Sequence, residues 1–244
     1  MANGKTEAWY VLSAQAGARV GVGLKTAITS RELRDAIGDG SIADLVEWRT
    51  AATGDVFFIP AGTIHAIGPG LVIAEIQQRS DTTFRLFDPG YSRELHVEQA
   101  VVAADLNPAR AVVSPTRLTA TRTQLTACAF FVFERLELPG GTVWELSAES
   151  ETWLLVAAGE GAIGSTDAAV GNAFFAQGDS AIIQAGPAGL TILVAYADSV
   201  AEPDLVREVS VSGLKWPSFH TSSSTLELRP RRFDPPFRPM EGRE

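Results

Sequence analysis

The chain has 244 residues, 45% of them hydrophobic and 20% charged, which suits one large or two medium globular domains and excludes a disordered chain. A formal net charge of −9 excludes broad binding to nucleic acid or anionic membranes, since either needs an excess of positive charge. Lysines are few (Lys5, Lys25 and Lys215), so arginine is expected to do most of the work of holding an anionic small substrate.

The N-terminal "MANGKTEAWYVL" lacks a basic start followed by an apolar stretch, and no segment is apolar for long enough to span a bilayer, so a cytoplasmic location is the expectation. Short strands rich in Val, Ile, Phe and Thr, separated by Gly-containing turns, make up most of the chain. "AWYVLSA" and "RVGVGLK" are the first two. Residues 30 to 48, "SRELRDAIGDGSIADLVEW", predict a helical insertion capped by Ser30, with Leu33, Ile37, Leu45 and Trp48 at helix-like spacing. Strands "DVFFIPA", "GLVIAEIQ" and "TTFRLFD" come next, and residues 96 to 106, "HVEQAVVAADL", read as a connector helix. Beyond a polar connector at 107 to 120, "NPARAVVSPTRLTA", lie strands "ACAFFVFERLEL", "TVWELS", "TWLLVAAGEG", "AIIQAG" and "LTILVAYA". The Pro- and Arg-rich tail "RPRRFDPPFRPMEGRE" is expected to be solvated. Many strands with few helices predict a mainly β fold, a sandwich or jelly roll.

Cys128 is the only cysteine, which excludes intrachain disulfides and cysteine-based zinc clusters. Its place in the apolar run "CAFFVF" points to a small buried thiol. "LLVAAGEGAIGS" sets Gly159, Gly161 and Gly164 in a dinucleotide-like spacing, with Asp179 further on. Such a fingerprint requires a helix to start there, and "STDAAVGNAFFAQGD" has no apolar helical stripe. A β-turn is the expectation.

An internal repeat is visible. "GDVFFIPAGTIH", from Gly54, aligns without a gap on "GDSAIIQAGPAG", from Gly178, and each is succeeded by an apolar strand. Pro60 becomes Gln184 and His65 becomes Gly189, so the ligand-capable side chain belongs to the first copy alone.

Residues 54 to 65 have the pattern Gly, five residues, Pro, any residue, Gly, two residues, His. A lone strand histidine is usually structural, but this full spacing resembles the second motif of the cupin superfamily, whose histidine points into a jelly-roll barrel and binds a divalent metal. If Gly68-Pro69-Gly70 is a hairpin turn, His65 and Glu75 share one face, and a second turn at Arg79-Ser80-Asp81 sets Arg85 roughly opposite Glu75. An ordinary exposed Glu–Arg pair accounts for that geometry equally well.

The longer run "FFIPAGTIHAIGPGLVIAEIQQRSDTTFRLFD", with "GKTEAWYVL" before it and "RELHVEQA" after it, resembles the type I mannose-6-phosphate isomerases of the short bacterial kind. The resemblance covers residues 3 to about 106 well and the second half more loosely. It implies two cupin-like jelly-roll domains, at 1–114 and 115–205, then a C-terminal strand and tail at 206–244. It also implies one zinc ion (Zn2+) and interconversion of mannose 6-phosphate with fructose 6-phosphate. Carried over by motif, the glutamate ligand falls on Glu7, a histidine ligand on His65, the substrate-side lysine on Lys5 and the catalytic arginine on Arg85. Glu75 matches a pocket carboxylate. The general base has no assignment.

One departure bears on the metal. The family's Gln-x-His-Pro segment, which supplies two further ligands, precedes the Lys-x-Glu motif; between Met1 and Lys5 it has no counterpart. His96, at the start of the connector helix, reads as capping or packing, and His220 in "WPSFHTSSS" has no ligand spacing. Three readings therefore stand: an isomerase, a non-catalytic bicupin that binds sugar phosphate, or a chain whose natural start lies further upstream. Loss of the upstream strands would leave a sheet edge through which copies of the chain self-associate.

Overall fold

The computed structural model describes residues 4–88, 93–109 and 114–210. In the first half these residues form β1 (Glu7–Ala14), β2 (Arg19–Leu24), α1 (Ser30–Asp39), α2 (Ile42–Leu45), β3 (Val46–Thr50), β4 (Val56–Ile59), β5 (His65–Ile67), β6 (Leu71–Gln77) and α3 (Val97–Ala103). The strands make two antiparallel three-stranded sheets, ordered β4-β1-β6 and β3-β2-β5. Side-chain alternation in β1 explains how they pack. Trp9 and Val11 point one way and join Val20, Val22, Phe57 and Ile59, so one apolar cluster draws on both sheets. Ala8 and Tyr10 point the other way.

The helical insertion is shorter than its apolar spacing suggests. Its cap is Thr29, whose side chain accepts from the Glu32 N–H while the Glu32 carboxylate accepts from Thr29, a complete capping box, and not Ser30. Gly40, at φ 82°, closes α1 in the left-handed conformation that favours glycine. Leu45 ends the four-residue α2, and Trp48 stands in β3. The connector helix is α3, held to α1 by a bidentate Arg34–Glu98 pair at 2.8 and 2.9 Å. The stretch "TTFRLFD" is not a strand. Its alternation has a different cause: Leu86 turns into the cluster that α1, α2 and α3 share with Leu24 and Ile64.

The second half contains β7 (Thr116–Arg117), β8 (Arg122–Ala127), β9 (Val132–Leu138), β10 (Val143–Ala148), β11 (Thr152–Ile163), β12 (Thr166–Ala169), β13 (Ala173–Ala176), β14 (Asp179–Tyr196) and β15 (Val206–Glu208). They form one antiparallel sheet with β14 at its centre. "AIIQAG" and "LTILVAYA" are not two strands but this single one of 18 residues, bonded to β10 at its start and to β9 at its end. "ACAFFVFERLEL" instead holds the last residue of β8, the turn after it and all of β9.

The glycine-rich stretch resolves as β structure. Gly159, at φ 78°, sits within β11 between two register shifts against β14, and a Cβ there would lie 2.1 Å from the Gly189 carbonyl oxygen. Gly164 turns β11 into β12. The two repeat copies also diverge for a visible reason. Gln184 keeps a backbone N–H and lies within the β14 ladder opposite Val143 and Ala162, whereas Pro60 ends β4 and sends the chain to the other sheet.

Both halves meet on the outer face of β1. Ala8, Tyr10 and Val56 pack with Leu125, Phe131, Phe133, Leu193 and Ala195 in one buried cluster. Cys128 is half-buried beside it. His220 and most of the expected C-terminal strand and tail lie outside the described residues; β15 is the part within them.

Candidate active site

Glu7 has the same parity as Trp9 and Val11, so β1 aims its carboxylate between the two sheets. At 1% exposure it needs partners, and it has them. The Trp9 indole N–H donates to Glu7 Oε2 at 3.0 Å, and the Lys5 ammonium donates to Oε1 at 2.7 Å. The same ammonium reaches Glu75 Oε1 at 3.1 Å. Glu75 stands opposite Trp9 in the β1–β6 ladder and therefore shares that inner face.

His65 comes from the other sheet. It is opposite Val22 in the β2–β5 ladder, and its ring meets the Trp9 ring edge-on at 5.3 Å. Its Nδ1 lies 2.9 Å from the Thr63 carbonyl oxygen. A carbonyl can only accept, so Nδ1 carries a hydrogen, and in the neutral form of the ring Nε2 is the nitrogen with the free lone pair. That Nε2 is 3.9 Å from Glu7 Oε1. His65 and Glu75 do converge, but not as hairpin neighbours: β5 pairs with β2 and β6 with β1, so residues 68 to 70 cross from one sheet to the other.

Arg85 reaches the cleft from the irregular segment. His96 fixes it through the backbone: Arg85 N–H donates to His96 Nδ1 at 3.0 Å, and His96 N–H donates to the Arg85 carbonyl at 2.9 Å. The guanidinium donates to the Glu94 carbonyl at 3.2 Å. His96 caps α3 with its backbone position alone, its side chain being committed to Arg85. Lys5, Glu7, His65 and Arg85 line one cleft of about 520 Å3, with Trp48 and Phe84 among its apolar walls. That size suits a small ligand.

Electrostatically, burial pulls the Lys5 pKa down, but hydrogen bonds and charge from Glu7 and Glu75 outweigh it and hold the ammonium above its ordinary range. Lys5 is therefore a cation at neutral pH and a hydrogen-bond donor, not a base. For a metal, Glu7 Oε1 and His65 Nε2 are suitable donors, yet a catalytic zinc takes three protein ligands and a water. Among the described residues no group of three His, Cys, Asp or Glu side chains is placed to hold a metal ion. The described residues thus supply two donors and do not complete a zinc site.

Of the five residues singled out from the sequence, the structure places Lys5, Glu7, His65 and Glu75 in one contact network, with Arg85 lining the same cleft. Trp9, Thr63 and His96 were missed. Trp9 carries a signal in its i+2 parity to Glu7; Thr63 acts through its carbonyl, which no side-chain pattern reveals.

No family profile matches the chain. It is 37% identical over 170 residues to the mannose-6-phosphate isomerase of Streptococcus mutans, a match covering 66% of this chain and 52% of that protein. The crystal structure of the mannose 6-phosphate isomerase from Bacillus subtilis superposes with a TM-score of 0.68 at 25% identity, covering 79% of this chain and 64% of that one. A zinc-bound mannose 6-phosphate isomerase shares the fold, with a TM-score of 0.56 at 11% identity over 80% of this chain and 66% of that one. The chain spans about half the length of the Streptococcus mutans protein and of a second curated relative, the mannose-6-phosphate isomerase ManA of Bacillus subtilis. It is similar in sequence and in its mainly β, cupin-type fold to the mannose-6-phosphate isomerases.

Proposed function

We propose that the chain carries the sugar-phosphate site of an aldose–ketose isomerase interconverting mannose 6-phosphate and fructose 6-phosphate. The observation that carries this reading is the convergence of Glu7 and His65 from two different sheets, 3.9 Å apart and flanked by Lys5 and Glu75, in a chain similar to these isomerases. A jelly roll at 1–114 holds the site, and one at 115–205 buttresses β1 from behind.

The difficult step is removal of a proton beside a carbonyl, which leaves an anionic enediolate. Arg85, held by His96, stabilises that anion or the phosphate. Lys5, kept charged, donates to sugar oxygens, and Glu75 orients hydroxyls beside it. Glu7 Oε1 and His65 Nε2 are the two donors that a zinc ion would meet, and such an ion would polarise the sugar's carbonyl as a Lewis acid.

The test is turnover of mannose 6-phosphate by the purified full chain, with and without added Zn2+. Arg85→Ala is expected to lower kcat by about 10²–10³-fold. The two-donor metal site favours a second reading, a binder without chemistry; saturable binding of mannose 6-phosphate with no turnover under either condition would establish it and reject the first.

The same reading includes a cytoplasmic location and a small anionic partner; no described helix is long and apolar enough to cross a membrane. It also includes self-association: among the described residues β6 pairs only with β1, and its Val72 is exposed.

A further inference from the structure

Residues 82–88 belong to no strand or helix, so no ladder fixes where Arg85 stands. What holds it is a two-way clasp with His96: the Arg85 N–H donates to the imidazole Nδ1 at 3.0 Å, and the His96 N–H donates back to the Arg85 carbonyl at 2.9 Å. The base of the clasp is firm. The His96 carbonyl accepts the Ala100 N–H at 2.9 Å, and α3 is tied to α1 by Arg34–Glu98 and buries Ala100 and Val101. The head of the arginine leans on the same short segment, through the carbonyl of Glu94. Because Nδ1 accepts, a neutral His96 ring carries its hydrogen on Nε2, the reverse of neutral His65.

We infer that His96 is a positioning residue: the lone pair on its Nδ1, not the bulk of its ring, sets where the Arg85 guanidinium meets an anionic ligand. The ring does meet Phe84 edge-on, with centroids 6.2 Å apart, so packing is the rival account. Two substitutions pull the accounts apart. Asparagine keeps an acceptor, Oδ1, close to where Nδ1 stood, but has no ring. Phenylalanine keeps a ring and has no acceptor, which leaves the Arg85 N–H unsatisfied and the segment free to shift. The inference rests on the sugar-phosphate reading of the cleft and adds to it the residue that places its arginine. Its readout is ligand affinity, measured apart from turnover.

The experiment is calorimetric titration of the full chain with mannose 6-phosphate, on wild type, His96→Asn, His96→Phe, Arg85→Ala and the His96→Phe/Arg85→Ala double variant. Circular dichroism checks that each is folded, and His96→Leu replaces His96→Phe if that one is not. His96→Asn is expected to bind close to wild type, and His96→Phe about tenfold or more weakly, the loss that a misplaced charged donor brings. In the Arg85→Ala background His96→Phe is expected to change little, since the group it places is gone. A merely packing role predicts the reverse order, with phenylalanine tolerated and asparagine not. His96→Phe or Arg85→Ala binding like wild type, His96→Asn binding as weakly as His96→Phe, or the same loss from His96→Phe in both backgrounds would each overturn the inference alone. Wild type that binds no mannose 6-phosphate would reject the sugar-phosphate reading, and the inference with it.

Discussion

A buried carboxylate is only as stable as its donors, and for Glu7 one of these is the Trp9 indole N–H. Trp9→Phe keeps the aromatic edge against His65 and removes that donor. The expected cost is about 1–3 kcal/mol, read as a lower urea midpoint with the m-value unchanged; an unaltered midpoint would mean that Oε2 needs no donor. Tyr196 makes a second residue-level case. Burial comes first, then the carboxylate of Glu134 that accepts its hydroxyl at 2.5 Å, and together they push the phenol well above its ordinary range. The sign comes from linkage: the unfolded phenol loses its proton first as pH rises above about 10, so the contribution is intact below that and declines above it, by up to about 1.4 kcal/mol per pH unit. Tyr196→Phe is expected to flatten the alkaline limb of stability against pH. At this scale the sequence was informative in singling out His65 by its motif spacing and Glu7 by family resemblance, and the structure brings the two to within 3.9 Å. It was silent on Thr63 and on the Arg85 end of the His96–Arg85 bridge, because those two residues take part through backbone atoms that every residue has.

The segments behaved according to what each could pair with. Thr29 and Glu32 close their capping box on an exposed helix end, so Thr29→Ala is expected to lower stability by about 1 kcal/mol in thermal melts. Gly159 is less forgiving. Its positive φ and its approach to the Gly189 carbonyl leave no room for a Cβ, and Gly159→Ala is expected to cost more than about 1 kcal/mol and disrupt the β11–β14 register. Hydrogen–deuterium exchange across residues 152–163 and 179–196 checks the second effect. Most strands were legible because apolar alternation and turn glycines agree. Residues 82–88 were not, since alternation records which side chains are buried and not what buries them; there, helices and not a neighbouring strand cover Leu86. The fused β14 was missed because Gly186 and Gly189 look like turn residues, although β11 pairs with residues on both sides of them, 183–185 and 190–196.

Across the molecule, the second half is tied together by an ion pair with almost no exposure. Arg122 donates to both Glu134 oxygens at 3.0 and 2.9 Å and to the carbonyls of Glu202 and Pro203, while the Glu202 N–H donates to Tyr196 Oη. Arg122 is 3% and Glu134 0% exposed, so Glu134→Leu strands a buried guanidinium and is expected to cost about 3–5 kcal/mol. The Arg122→Met/Glu134→Leu double variant is expected to lose less than Glu134→Leu alone, and denaturant titration of the three proteins decides it.

The outer face of β1 gives the arrangement its last implication. The strand that presents Glu7 inward leans with Ala8 and Tyr10 on Phe133, Leu193 and Ala195, none of which approaches the cleft. Severing the chain after residue 114 would strip that backing and bare an oily strip on the very ribbon that supplies the carboxylate. Such a piece would keep Lys5, Glu7, His65, Glu75 and Arg85 yet be expected to clump in solution, so anyone dissecting the protein should treat its two halves as one working part.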